Sequence, residues 1–122
     1  VECPLYDFKT HTRTKKTQVL QPADIIFVDG IFCLYEKALR QLTDLRVFVD
    51  VKDDLRFIRR LKRDYKERGR SFDSVIEQYL SSVRPMHRSF VQPSKAFADI
   101  TVPWNEKNDR SVALLAQIAS MA

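Results

Sequence analysis

Three short apolar runs alternate with stretches whose apolar residues recur every three to four positions, and this alternation limits the fold more than any other feature of the chain. Ile25–Val28 (IIFV) is continuous, β-branched and aromatic, and ends in Asp29-Gly30. Leu45–Val49 (LRVFV) closes on Asp50, and Ile100–Val102 closes on Pro103. The uninterrupted run Ile25–Val28 suits a strand covered on both faces, as in a parallel sheet, and Leu45–Val49 and Ile100–Val102 read as further strands. Between them, residues 34, 35, 38, 39 and 42 form a helical stripe, and a long helix is predicted from Asp53 to a natural stop at Gly69. A second helix begins at Ser71 or Asp73, and Pro85 kinks or breaks it. A last helix is capped by Asn108 or Asp109. Strand, helix, strand, two helices, strand, helix implies right-handed crossovers and an α/β fold with a parallel sheet. Ahead of it, Thr12–Leu20 is Thr-rich and polar and reads as an exposed β-hairpin turning near Lys15-Lys16, although no Asn-Gly or Gly-Gly fixes the turn.

Three strands leave two sheet edges unpaired. Val1–Leu5 reads as the middle of a longer segment, and Gly30 and Gly69 are the two glycines. A phosphate-binding turn normally uses several. A truncated or split chain is therefore expected. Lys and Arg outnumber Asp and Glu by 21 to 16, a net charge of +5, which favours anionic partners without choosing among phosphates, nucleotides, nucleic acid and acidic lipid. No apolar run is long enough to span a bilayer. Cys3 and Cys33 are too few for a disulfide framework and are expected to be reduced, as in a cytoplasmic protein. With His11 and His87 they lack the close pairs of a zinc site.

In open parallel sheets ligands bind beyond the carboxyl ends of strands, which singles out Asp29 and Asp50. Asp29 either meets a magnesium ion or merely starts a turn. The densest signal is Arg56–Arg70 (RFIRRLKRDYKERGR). Arg56, Arg59, Arg60 and Arg63 share one side of a helix, and Arg68 and Arg70 flank Gly69. Guanidinium forks suit phosphate oxygens, and a cluster beside a hinge glycine can close over a polyphosphate. The plainer possibility is a solvated helix laced by the i,i+4 pairs Arg60–Asp64 and Arg63–Glu67. A nucleic-acid backbone is a rival anion, but Phe57 and Tyr65 fall toward the apolar side rather than forming a stacking platform. Tyr6, Phe8, His11 and Arg13 form a compact aromatic-polar group able to stack on a base and bond its edge.

In order and spacing, Tyr6–Arg13 (YDFKTHTR), Phe27–Ile31 (FVDGI), Val47–Asp50 (VFVD), Arg59–Arg70, Ser74–Leu80 (SVIEQYL), Val83–His87 (VRPMH), Pro93–Lys95 (PSK) and Ala98–Pro103 (ADITVP) resemble the uridine kinase family, especially its bacterial type. The resemblance implies part of a P-loop kinase fold, a three-layer parallel-sheet domain over 1–122 with a β-hairpin insertion at 12–20 and an Arg-rich helical lid with nucleoside-binding helices over 53–84. It implies transfer of the γ-phosphate of ATP or GTP, with Mg2+, to the 5′-hydroxyl of uridine or cytidine in pyrimidine salvage. It implies that Tyr6 and His11 read the pyrimidine edge beside Phe8, and that Arg60, Arg70 and Gln78 hold the nucleoside. Arg60, Arg63 and Arg68 belong to the lid; Arg63 and Arg68 take the phosphates and act in catalysis with Asp29, which stands where the family usually has Glu. The resemblance further implies a cytoplasmic homo-oligomer, commonly a tetramer. The family's G-x-x-x-x-G-K-[ST] loop does not occur in these residues, so the ATP cradle, the base for the 5′-hydroxyl and the ribose-gripping acid are expected in a missing amino-terminal portion, and the chain alone is expected to be inactive. A phosphoribulokinase-like enzyme, a non-catalytic remnant and a basic nucleic-acid-binding module are the alternatives.

Overall fold

A computed structural model describes residues 1–7 and 12–121. Its elements are β1 (Glu2–Asp7), β2 (Thr12–Val19), α1 (Lys37–Arg40), β3 (Val47–Asp50), α2 (Asp53–Arg68), α3 (Phe72–Gln78), α4 (Arg84–Met86), α5 (Gln92–Ser94), β4 (Ile100–Pro103) and α6 (Asp109–Ala119). The α/β expectation holds in its main feature: β3 and β4 pair in parallel, Val47 opposite Ile100 through Asp50 opposite Pro103.

Both ends of that pair are closed by polar contacts. At the start, Asp99 Oδ2 accepts from Arg46 N and Nε at 2.9 Å each, and Asp99 Oδ1 takes Arg46 Nη2 at 2.6 Å. At the far end, Asn105 Oδ1 accepts from Lys52 N at 2.9 Å, and Arg59 donates to the carbonyls of Trp104 (2.9 Å) and Asn105 (2.7 Å). The long helix is thereby tied to the loop after β4. The apolar residues buried at the centre are Phe48, Val75 and Val102. Full burial of a residue such as Val75 stabilises by roughly 1.5–3 kcal/mol.

Helix boundaries follow local chemistry. α2 carries Asp53 and Asp54 in its first turn, where carboxylates suit the helix dipole. It stops at Gly69, whose φ of 63° and ψ of 28° place it in the left-handed region. Ser71, rather than Asp73, starts α3: its side chain accepts from Ser74 N at 3.3 Å. Asn108, rather than Asp109, caps α6 by accepting from Ser111 N at 3.2 Å.

The structure corrects four expectations. Ile25–Val28 is not a strand; it is irregular and exposed, Phe27 at 83%. A strand of this composition needs paired neighbours and cover on both faces. Among the described residues, β3 pairs only with β4. The stripe at 34–42 yields only the four-residue α1, preceded by a turn that Arg40 closes through its Nη1 bonds to the carbonyls of Leu34 and Tyr35, both 2.6 Å. Residues Lys15 and Lys16 do not turn: β2 is one extended strand, antiparallel to β1, with Tyr6 opposite Arg13. Without a turn-forming dipeptide, a Thr-rich segment stays extended. Pro85, expected to kink or break the helix, does not break it: the backbone stays helical and its turn is disturbed just before the proline. π-helical turns at Tyr79–Val83 and His87–Val91 precede the prolines of α4 and α5. The wider turn accommodates a missing N–H and the ring's clash with the carbonyl four residues back.

Candidate functional site

The helix end at Gly69 gathers four guanidiniums around one carboxylate. Asp64 lies one turn before that end on α2 and is fully buried. Its backbone carbonyl accepts from the N–H groups of Gly69 and Arg70, the latter at 3.2 Å. Its Oδ1 accepts from Arg63 Nε at 3.0 Å and Arg68 Nη1 at 3.2 Å. Its Oδ2 faces Arg60 Nη2 at 3.6 Å and Arg70 Nη1 at 3.7 Å, beyond hydrogen-bonding distance. Oδ2 and Arg60 Nε are buried with no hydrogen-bond partner among the described residues.

A second acceptor lies on α3. Gln78 Oε1 takes Arg60 Nη2 at 2.8 Å and Arg70 Nη1 at 2.5 Å. Arginine donates and never accepts, so the oxygen of the Gln78 amide must face this pair, which leaves its NH2 as the group that can donate elsewhere. Arg70 Nη2 also reaches Ser74 O (3.3 Å) and Ser74 Oγ (3.2 Å). The array therefore has two sides. Arg63 and Arg68, the more exposed pair, share Oδ1; Arg60 and Arg70, more deeply set, share Gln78. Burial lowers Arg60 below the ordinary guanidinium value; Asp64 opposes this, and the charges of Arg63, Arg70 and Arg68 add to it. Four cations against one anion leave an excess of three positive charges, a setting suited to a polyanion.

The structure thus brings together Arg60, Arg63, Arg68, Arg70 and Gln78. Tyr6 sits on β1, half exposed. Phe8 and His11 lie outside the described residues. Asp29 is exposed in the irregular segment after Val28, just before the turn in which Cys33 N donates to Gly30 O at 3.1 Å. Among the described residues no group of three His, Cys, Asp or Glu side chains converges on a point. Asp29 therefore fits at most one ligand position of a metal that arrives with phosphate oxygens of its own. The other strand-end acid, Asp50, is engaged by Lys95, Nζ to Oδ2 2.6 Å. Cys3 and Cys33 are free thiols. Among the described residues no helix is long and apolar enough to cross a membrane.

Sequence reasoning considered Asp64 only as a partner in the alternative of a solvated i,i+4 pair and gave Ser74 no role. The Arg60–Asp64 pair exists, but it is buried. The available signal was position: Asp64 is four residues from both Arg60 and Arg68 and adjacent to Arg63. Sequence reasoning also missed a groove of about 400 Å³ bounded by Lys52, Asp53, His87, Arg88 and Asn105. A smaller cleft of about 90 Å³, lined by Arg56, Arg60 and Tyr79, shares Asp53, His87 and Arg88 with it. Burial, with help from the Arg56 charge, lowers the His87 imidazole below its ordinary value, against an opposing pull from Asp53.

A parallel pair of strands, with a helix between them in the chain whose end gathers four arginines around a buried carboxylate, defines an α/β protein with a concentrated cationic site. The profile of the phosphoribulokinase/uridine kinase family matches residues 1–111, and the chain belongs to that family. It is similar to the uridine kinases of Lactobacillus johnsonii (54% identical), Lactobacillus helveticus (52%) and Bacillus pumilus (51%). Each match covers 94% of this chain and 54–55% of the relative, so the chain spans about half the length of the curated relatives it matches.

Proposed function

We propose that this chain supplies the nucleoside site and lid of a pyrimidine nucleoside kinase, which moves the γ-phosphate of MgATP or MgGTP to the 5′-hydroxyl of uridine or cytidine. In that reaction the 5′-oxygen bonds to the γ-phosphorus while the bond to the β–γ bridging oxygen breaks, the nucleoside diphosphate leaves with the electron pair, and the hydroxyl proton passes to a general base. Negative charge spreads over the transferring oxygens, and stabilising it is the main task of the protein. Arg63 and Arg68 face that charge, with Arg60 between them and the nucleoside. Arg60, Arg70 and the Gln78 amide hold the nucleoside, Tyr6 and His11 read the pyrimidine edge, and Phe8 packs beside the ring. Asp29 serves the magnesium that accompanies the triphosphate. Assembly into a homo-oligomer, a tetramer in the fullest form, is part of the same proposal.

The observation that carries it is the convergence of Arg60, Arg63, Arg68 and Arg70 around Asp64 and Gln78, in a chain about half identical to uridine kinases. Calorimetric titration tests it. Uridine and cytidine are expected to bind, adenosine is not, and His11→Ala is expected to weaken uridine. Equal binding of adenosine, or an unchanged uridine affinity in His11→Ala, rejects the base-reading pocket.

A further inference from the structure

Asp64 occupies a place that neither net charge nor helix stability accounts for. A buried carboxylate among arginines adds little net stability, because desolvation takes back most of the attraction. Removing one carboxylate from a basic cluster would also be expected to strengthen its hold on an anion, because a competing charge is gone. The geometry argues for the opposite result. Oδ1 bonds Arg63 through Nε, not through its terminal nitrogens. A guanidinium bonded at Nε has both Nη groups left to donate, and its rotation is restricted. The same oxygen bonds one terminal nitrogen of Arg68, and Oδ2 lies against Arg60 and Arg70. Without this buried negative charge, Arg63 and Arg68 lose their shared acceptor and turn toward water while Arg60 and Arg70 keep Gln78, and an incoming anion must gather the outer pair at an entropic cost.

We propose that Asp64 is a positioning residue, whose buried carboxylate holds Arg63 and Arg68 as a preformed fork for phosphate oxygens and keeps Arg60 and Arg70 beside it. This deepens the proposed function and rests on the array being its phosphate site. The substrate class is a linear polyphosphate, and inorganic tripolyphosphate is the probe that isolates it from the nucleoside.

Three proteins are compared by calorimetry at fixed ionic strength: the parent chain, Asp64→Asn and Asp109→Asn. Asp109 is an exposed carboxylate of α6, paired with Lys107, and its replacement measures the effect of added charge alone. Asp109→Asn is expected to bind tripolyphosphate as the parent does or slightly more tightly. Asp64→Asn is expected to bind roughly tenfold more weakly or worse, the size of one lost charge-assisted hydrogen bond, although its net charge is the same as that of Asp109→Asn. Affinity equal to or above that of the parent overturns the positioning role and leaves the phosphate site standing. A parent chain that does not bind tripolyphosphate overturns the phosphate site, and the positioning role with it.

Circular dichroism and melting curves establish that Asp64→Asn is folded. If it is not, the parent chain decides the matter through the arginine Nε–H resonances in nitrogen-15 spectra. A preformed fork shows the Arg63 Nε–H in slow exchange before any anion is added. A resonance that emerges only with tripolyphosphate overturns the proposal.

Discussion

Replacing Gln78 by Leu removes the acceptor that Arg60 and Arg70 share, at 2.8 and 2.5 Å, and replacing it by Glu keeps that acceptor while removing the amide donor. The two variants therefore separate what the residue does for the fold from what it does for a ligand. A hydrogen bond to a charged group is worth about 1.5–3 kcal/mol. Two are lost in Gln78→Leu, but Arg60 and Arg70 are 22% and 24% exposed, so water recovers part of each. A net loss of about 2 kcal/mol remains, which for a chain of this size lowers the melting temperature by about 8 °C. Gln78→Glu retains both bonds. Its added attraction to the guanidiniums is offset by desolvating a carboxylate, and stability stays within about 1 kcal/mol of the parent. Uridine affinity separates the two effects again: the missing NH2 weakens it about tenfold in Gln78→Glu, despite the intact fold. Thermal melts and uridine titrations read both quantities. A Gln78→Glu protein that loses as much stability as Gln78→Leu refutes the reasoning, because the amide oxygen would then not be the shared acceptor.

Two further outcomes follow from the helix end and from the groove. Gly69→Ala places a side chain at φ 63° with open space around it, so the cost is backbone strain alone, about 1 kcal/mol; a melting temperature equal to that of the parent refutes a rigid left-handed stop. The His87 imidazole is held below its ordinary value near 6.5, first by burial and then by the Arg56 charge. The unfolded chain therefore takes up the proton first, so the His87 contribution is complete above pH about 6.5 and shrinks as pH falls from there toward the folded value. Melting temperatures between pH 7.5 and 5 should show this decline, and His87→Gln should remove it; an identical decline in the variant assigns it to another group.

What could be read from sequence was whatever is decided within a few residues. The start at Asp53 and the stop at Gly69 marked α2 from its first residue to its last. The β3 and β4 runs were legible because each is short, apolar and bounded. Ile25–Val28 carries the same local pattern and fails to form a strand, because pairing depends on neighbours that periodicity does not encode. The π-turns before Pro85 and Pro93 were illegible for a related reason: a proline forbids one hydrogen bond, and several backbone paths satisfy that prohibition. The arginines were legible as a cluster, and their arrangement was not. Helical spacing puts Arg60 and Asp64 on one side whether that side meets water or the rest of the fold, and the burial of Asp64, with Gln78 of α3 bonded to its neighbour Arg60, is decided by packing between elements.

Burial of Asp64 is also the reason to read the array as functional rather than structural. Held apart from water, an ion pair gives little net stability, because desolvation takes back most of the attraction. One arginine would neutralise Asp64, yet three more stand within 3.7 Å of it. Their mutual repulsion opposes folding, and neither Gln78 nor Ser74 supplies any charge against it. An arrangement that works against the stability of the free chain is explained when a polyanion completes it, since the anion then meets cations already gathered, with little further ordering to do.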